Sequence, residues 1–249
     1  DVALSYALIR QRGHNLLVRL YADSKRLTDS FEALDFEARK RVQGVGLGWA
    51  WERRDALLGG GYWATSGVLY QGRLRLNDSD AMQADQALGG LGTAGRFSKL
   101  TARLSRLQSL SERQSLFLSL GGQWANKNLD ASEKLALGGS TAVRAYPVGE
   151  ALVDRGWIGT AEWRWSFNDE LTPFVFYDAA RGRLFQREPW LYRGETQRSL
   201  RGAGLGLSWV RAGSFSLSTT LAWRAGTAEP RTDGGGRGPR LYVHFQKSF

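Results

Sequence analysis

The stretch GWIGTAEWRWSF, residues 156–167, places Trp157, Gly159, Ala161, Trp163, Trp165 and Phe167 at every second position. Ile158, Thr160, Glu162, Arg164 and Ser166 fill the positions between them. A period of two belongs to a strand, whose successive side chains point to opposite faces. One face of this strand is therefore largely aromatic, and the other carries polar and charged groups. The same alternation recurs in Leu171, Pro173, Val175 and Tyr177, in Ala203, Leu205, Leu207 and Trp209, and in Phe215, Leu217, Thr219, Leu221 and Trp223. Towards the N-terminus it returns in Leu16, Val18, Leu20 and Ala22, in Val45, Leu47, Trp49 and Trp51, and in Leu100, Ala102 and Leu104. Leu116, Leu118 and Leu120 repeat it before Trp124. About eleven such segments start near positions 2, 14, 40, 61, 96, 114, 156, 171, 199, 214 and 240. At about ten to thirteen residues each, they are long for the sheets of soluble proteins.

Short and long connections alternate between these segments. Residues 11–13, 107–113, 168–170 and 211–213 are short, whereas 25–38, 76–95, 126–155, 183–198 and 226–239 are long and rich in glycine or charge; 52–60 is intermediate. Short turns at one end and long loops at the other describe an all-β chain, a transmembrane antiparallel β-barrel of the Gram-negative outer membrane. The apolar face with its Trp and Tyr girdles meets lipid, and the face of Arg, Ser and Gly lines a wet lumen. A soluble sandwich would turn the apolar face inward and use shorter strands and loops. An odd strand count conflicts with the even numbers of single-chain bacterial barrels. Either one strand is miscounted, or residues 1–249 are the C-terminal part of a larger barrel. The last segment favours the second reading, because Leu241, Val243 and Phe245 point outward and the chain ends on Phe249. A closing strand with a terminal aromatic resembles the signal by which bacterial outer-membrane proteins are recognised, which makes the barrel-assembly machinery an expected partner during biogenesis.

Composition removes most other chemistry. There is no cysteine and only two histidines, His14 and His244, so thiolate and histidine-rich metal sites are excluded and no cofactor is expected. No apolar run reaches the ~18 residues of a membrane helix. Nucleophile elbow, P-loop, zinc-helix and calcium-loop patterns are all missing, so the chain does not read as an enzyme. His14 is expected in a short turn and His244 on the lumen face, neither beside a serine and an acid. The formal charge of +10, from 34 basic and 24 acidic residues, invites a nucleic-acid reading. Arg19, Arg73, Arg103 and Arg164 are instead spread over separate strands, as a basic lumen and interfacial anchors require. The expected partners are outer-membrane lipid and an unfolded polypeptide in transit, with no nucleic acid. The GGGRG run at 234–238 lies in a long loop with no helix after it and reads as flexible surface.

The long connection at 126–155 contains LGGSTAVRAYPVGEALVDRGW, from Leu137 to Trp157. This resembles the conserved segment of two-partner secretion transporters of the ShlB/FhaC/HecB haemolysin secretion/activation family, within the superfamily that includes BamA. Leu137, Gly138, Gly139, Val143, Arg144, Tyr146, Asp154, Gly156 and Trp157 match, and Ala145 stands where the family usually has glycine. A second family motif falls on Phe176, Asp178 and Ala180, again with alanine for glycine. The resemblance implies that the chain supplies about eleven strands of a sixteen-stranded barrel, with upstream strands and periplasmic POTRA domains outside it. It implies a loop carrying Val143, Arg144, Ala145 and Tyr146 that folds into the lumen, where Arg144 pairs with Asp178. Phe176, Glu162 and Arg164 face the same space and are expected to support that pair, while Phe245 and Phe249 carry the C-terminal barrel signal. The implied function is export of a haemolysin- or adhesin-type exoprotein from periplasm to surface. The alternatives are a barrel-assembly-type insertase of the same superfamily and a passive porin-like channel.

Overall fold

The computed structural model describes residues 1–31, 36–233, 236 and 238–247. Eleven strands form one antiparallel sheet: β1 (Val2–Gln11), β2 (His14–Phe31), β3 (Phe36–Asp55), β4 (Gly61–Leu76), β5 (Gly95–Ser109), β6 (Gln114–Ala125), β9 (Arg155–Trp165), β10 (Leu171–Arg183), β11 (Gln197–Arg211), β12 (Phe215–Arg224) and β13 (Arg240–Lys247). Each pairs with its neighbour in the sequence except at one place, where β6 meets β9. Between those two strands the chain makes the small ladder of β7 (Leu135–Ala136) and β8 (Leu152–Val153). The sheet does not close on itself, since β1 and β13 are its two edges.

Alternation sets the two faces. On β9, Trp157, Trp163 and Trp165 are 44%, 50% and 48% exposed, whereas Ile158 and Glu162 between them are buried. Register carries the pattern across strands: Leu20, Leu47, Leu69, Leu100 and Trp124 stand opposite one another in turn along β2 to β6. All five are exposed, forming an apolar row on the outer face. The inner face is covered by the connection between β6 and β9, and both buried clusters lie beneath it. Val42, Tyr70, Leu74, Phe97, Ala125 and Leu129 form one; Leu137, Val143, Tyr146, Ile158, Phe176 and Leu200 belong to the other.

Two segments depart from the sequence expectation. Residues 25–31 and 36–38, read as loop, continue the β2–β3 ladder, with Lys25 opposite Val42 and Arg26 opposite Arg41. The sequence there, KRLTDSF and FEA, has no regular apolar alternation, so the signal stops while the backbone pairing goes on. β3 thereby reaches 20 residues, well beyond the expected ten to thirteen and about 66 Å at ~3.3 Å per residue, much more than a ~30 Å hydrocarbon layer needs even when tilted. The connection between β4 and β5 contains a helix, α1 (Ser79–Gln86), capped by the Asp78 carboxylate accepting from the Asp80 amide. His14 is the first residue of β2, and its Nε2 accepts from Trp51 Nε1 at 3.0 Å. Of the four arginines assigned to lumen and interface, Arg19, Arg103 and Arg164 face inward. Arg73 faces out, two positions past Gln71 on the outer face.

Candidate functional site

The connection from 126 to 154 is a plug laid against the inner wall, and each of its turns is tied down by polar groups. Asn128 donates to the Leu91 and Arg187 carbonyls and accepts from the Arg187 amide, joining three of the long connections. Asp130 accepts from Lys40 of β3 at 2.8 Å. Glu133, almost fully buried, meets Lys25 of β2 at 3.0 Å and Lys99 of β5 at 2.8 Å. Burial would raise the Asp130 carboxyl, but Lys40 and Ser132 outweigh it and hold the group below its ordinary value.

The turn after β7 follows from its glycines. Gly139 has φ +125°, open to glycine and strained for other residues, and Gly138 bridges to Val143. The tight turn presents Arg144 to the wall of β9 and β10. Arg144 Nε donates to Asp178 Oδ2 at 2.8 Å, and its Nη2 donates to Oδ1 at 2.8 Å. The backbone amide of Arg144 adds a third bond to the same carboxylate at 3.1 Å, and Thr160 a fourth. Arg144 Nη1 donates to Glu162 at 2.7 Å, and the other oxygen of Glu162 accepts from Arg164. The guanidinium carbon lies 3.5 Å from the Phe176 ring centroid, close enough for cation–π attraction. Asp178 is fully buried, and Arg144 and Glu162 are nearly so. A buried carboxylate of this kind is tolerated because its charge is paired and its oxygens accept hydrogen bonds.

Ala145 sits in ordinary backbone space, since Leu58 and Ala151 are the non-glycine residues with positive φ among those described. Its methyl group faces Gly202 of β11, where an added Cβ would lie 2.6 Å away. Tyr146 is fully buried, donates its hydroxyl to the Ala228 carbonyl at 2.9 Å and accepts from Tyr242 of β13 on its own carbonyl. Glu150 accepts from Arg198 at 2.8 Å and from the Arg231 and Thr232 amides. Burial works against its charge, but these donors prevail and its carboxyl lies below the ordinary value. Asp154 is the opposite case. Burial pushes its carboxyl up despite Lys134 and the Leu129 and Gln186 amides.

Arg144, Asp178, Phe176, Glu162 and Arg164 therefore meet in one cluster. Phe245 lies apart on the outer face of β13, 60% exposed with its ring 6.0 Å from that of Phe215, and Phe249 lies outside the described residues. Sequence reasoning missed Lys25, Lys40, Lys99, Glu133, Glu150 and Arg198. Inward-facing lysines opposite acidic loop residues were the available signal, but matching them needs the register.

Residues 1–209 match the family model described as haemolysin secretion/activation protein ShlB/FhaC/HecB. The chain belongs to that family. It is also 25% identical over 226 residues to the heme/hemopexin transporter protein HuxB of Haemophilus influenzae, matching 88% of this chain. The chain spans 39% of that relative's length. Among solved structures, BamA from Haemophilus ducreyi superposes with a TM-score of 0.54 at 11% identity, covering 98% of this chain and 61% of that one. CdiB from Escherichia coli gives 0.50 at 14% identity, covering 98% and 51%. These neighbours share the outer-membrane barrel fold, and the chain forms part of an outer-membrane β-barrel.

Proposed function

We propose that the chain is the C-terminal wall and lumen plug of a two-partner secretion transporter. It would export an unfolded exoprotein of haemolysin or adhesin type from the periplasm to the cell surface. The observation carrying this reading is the plug itself: its apex is fixed by a buried ion-pair cluster, not by apolar packing alone. Such a cluster fixes the plug in one orientation, and it releases only where water or a passing chain supplies replacement partners for the charges. Beside the plug, an open cavity of about 560 Å³ includes Arg19, Tyr21, Asp23 and Arg103 in its lining. That wall, with Leu17, Val68 and Ile158 among its charged groups, suits an extended polypeptide of mixed sequence. The upstream strands and POTRA domains implied by the family belong to the same proposal.

The test is secretion of the partner exoprotein by the full-length transporter at matched barrel levels. Removing one member of a buried pair strands the other, at about 3–5 kcal/mol. Arg144→Ala and Asp178→Ala are each expected to cut secretion strongly, with the charge-swapped pair Arg144→Asp/Asp178→Arg restoring part of it. Unchanged secretion in all of them would remove the plug from the export mechanism. Full anion conductance alongside it would favour the porin reading, and impaired insertion of other barrels the assembly reading.

A further inference from the structure

The outer face of β2 to β5 carries an arginine patch that neither the plug nor the lumen uses. Its rows can be followed from the apolar belt upward by register. Above Leu20, Leu47, Leu69 and Leu100 comes the row Ala22, Val45, Gln71 and Ser98, where the surface turns polar. The next row brings Arg73 of β4 directly opposite Arg96 of β5. In the row after it, Arg26, Arg41 and Arg75 stand opposite one another across β2, β3 and β4. Like charges directly opposite in a sheet repel and destabilise it. Arg26, Arg73, Arg75 and Arg96 are exposed and Arg41 is partly so. Among the described residues none of these five has an acidic partner. Asp23 and Asp130, acids close by in the sheet and plug, face inward, where they meet Tyr70 and Lys40.

Height above the belt identifies the occupant. Arg73 and Arg96 lie four residues past the leucine row, about 13 Å along a strand at ~3.3 Å per residue, or about 10 Å along the membrane normal at ~40° tilt. That is the headgroup level on the side of the long loops, the outer leaflet. We propose that this patch binds the phosphate groups of a phosphorylated glycolipid of that leaflet. Guanidinium forks hold phosphate oxygens bidentately, and a bound phosphate removes the repulsion between facing arginines. Acyl chains of the same molecule would lie on the leucine row beneath.

The experiment uses the full-length transporter in nanodiscs of phosphatidylcholine with and without diphosphoryl lipid A. Native mass spectrometry reads retained lipid, and thermal unfolding reads stabilisation. Lipid A is expected to stay bound and raise Tm, and Arg41→Gln/Arg73→Gln/Arg75→Gln/Arg96→Gln to retain about tenfold less. Arg53→Gln/Arg113→Gln, at the opposite end of the wall, is expected to match the unaltered protein. Lipid A stripped of phosphate, offered to the unaltered protein, tests the same point without mutation and is expected to give no shift. Equal retention of the stripped lipid, or an equal shift from inorganic phosphate alone, overturns the proposal.

Discussion

Arg144 and Ala145 do different work at the tip of the plug. The arginine supplies charge and direction, with two parallel bonds to Asp178 and a third to Glu162. The alanine supplies shape: its methyl group fills the space left by Gly202. A side chain at 202 and a methyl group at 145 exclude one another, so the two positions are coupled. Gly202→Ala is expected to destabilise the docked plug by about 1–3 kcal/mol, the usual penalty of overpacking. Ala145→Gly, nearly neutral alone, is expected to recover most of that loss in the double variant, a non-additivity that thermal unfolding of the four proteins measures. Additive effects would mean that the contact does not bear on docking. Gly204, two residues on along β11, stays fixed for another reason, since the Leu221 carbonyl and the Phe176 ring lie where its Cβ would be.

At the scale of elements, the strands were legible and their ends less so. Ten of the expected strand starts fall within two residues of those observed, because alternation and short turns are local signals. β3 begins four residues earlier than expected, where Phe36 to Lys40 carry no one-sided apolar pattern. α1 passed unread because it is short and polar, although Asp78 before Ser79 is a capping signal. The Arg144–Asp178 contact was reachable only through a resemblance, and the Glu133–lysine contacts required knowing which strand faces the loop. The plug's acids also set how it responds to pH. Glu150 and Asp130 have lowered folded values, so their support is full above their ordinary values of about 4.5 and 3.8 and is lost as pH falls through the lowered ones. Asp154 has a raised value, so its charge costs docking at neutral pH, and acidification relieves that cost first. A nitroxide at Val148→Cys, on the exposed part of the tip, is expected to stay immobile or tighten from pH 7 to about 5 and loosen below about 4. Glu150→Gln would remove part of the acid-driven loosening. Loosening already between pH 7 and 6 would assign the control to another group.

Across the whole molecule, the plug is fastened to two separate arcs of wall. Asp130 and Glu133 hold its first half to β2, β3 and β5, while Arg144 holds its apex to β9 and β10. On the proposed export reading, a plug hinged at one latch would still cover the lumen from the other side, so opening a path would require both to release. This arrangement predicts strong non-additivity in the conductance of the full-length transporter in planar bilayers. Glu133→Gln and Arg144→Gln are each expected to change mean conductance little, adding brief openings at most. Together they are expected to produce a large, long-lived open level, because among the described residues only Asp130–Lys40 and Glu150–Arg198, near the two ends of the plug, then remain to re-dock it. The glutamines keep hydrogen-bonding capacity and volume, so the barrel wall itself is spared. If either single variant opened the pore as far as the double, one latch would be decorative and the plug would swing from the other alone.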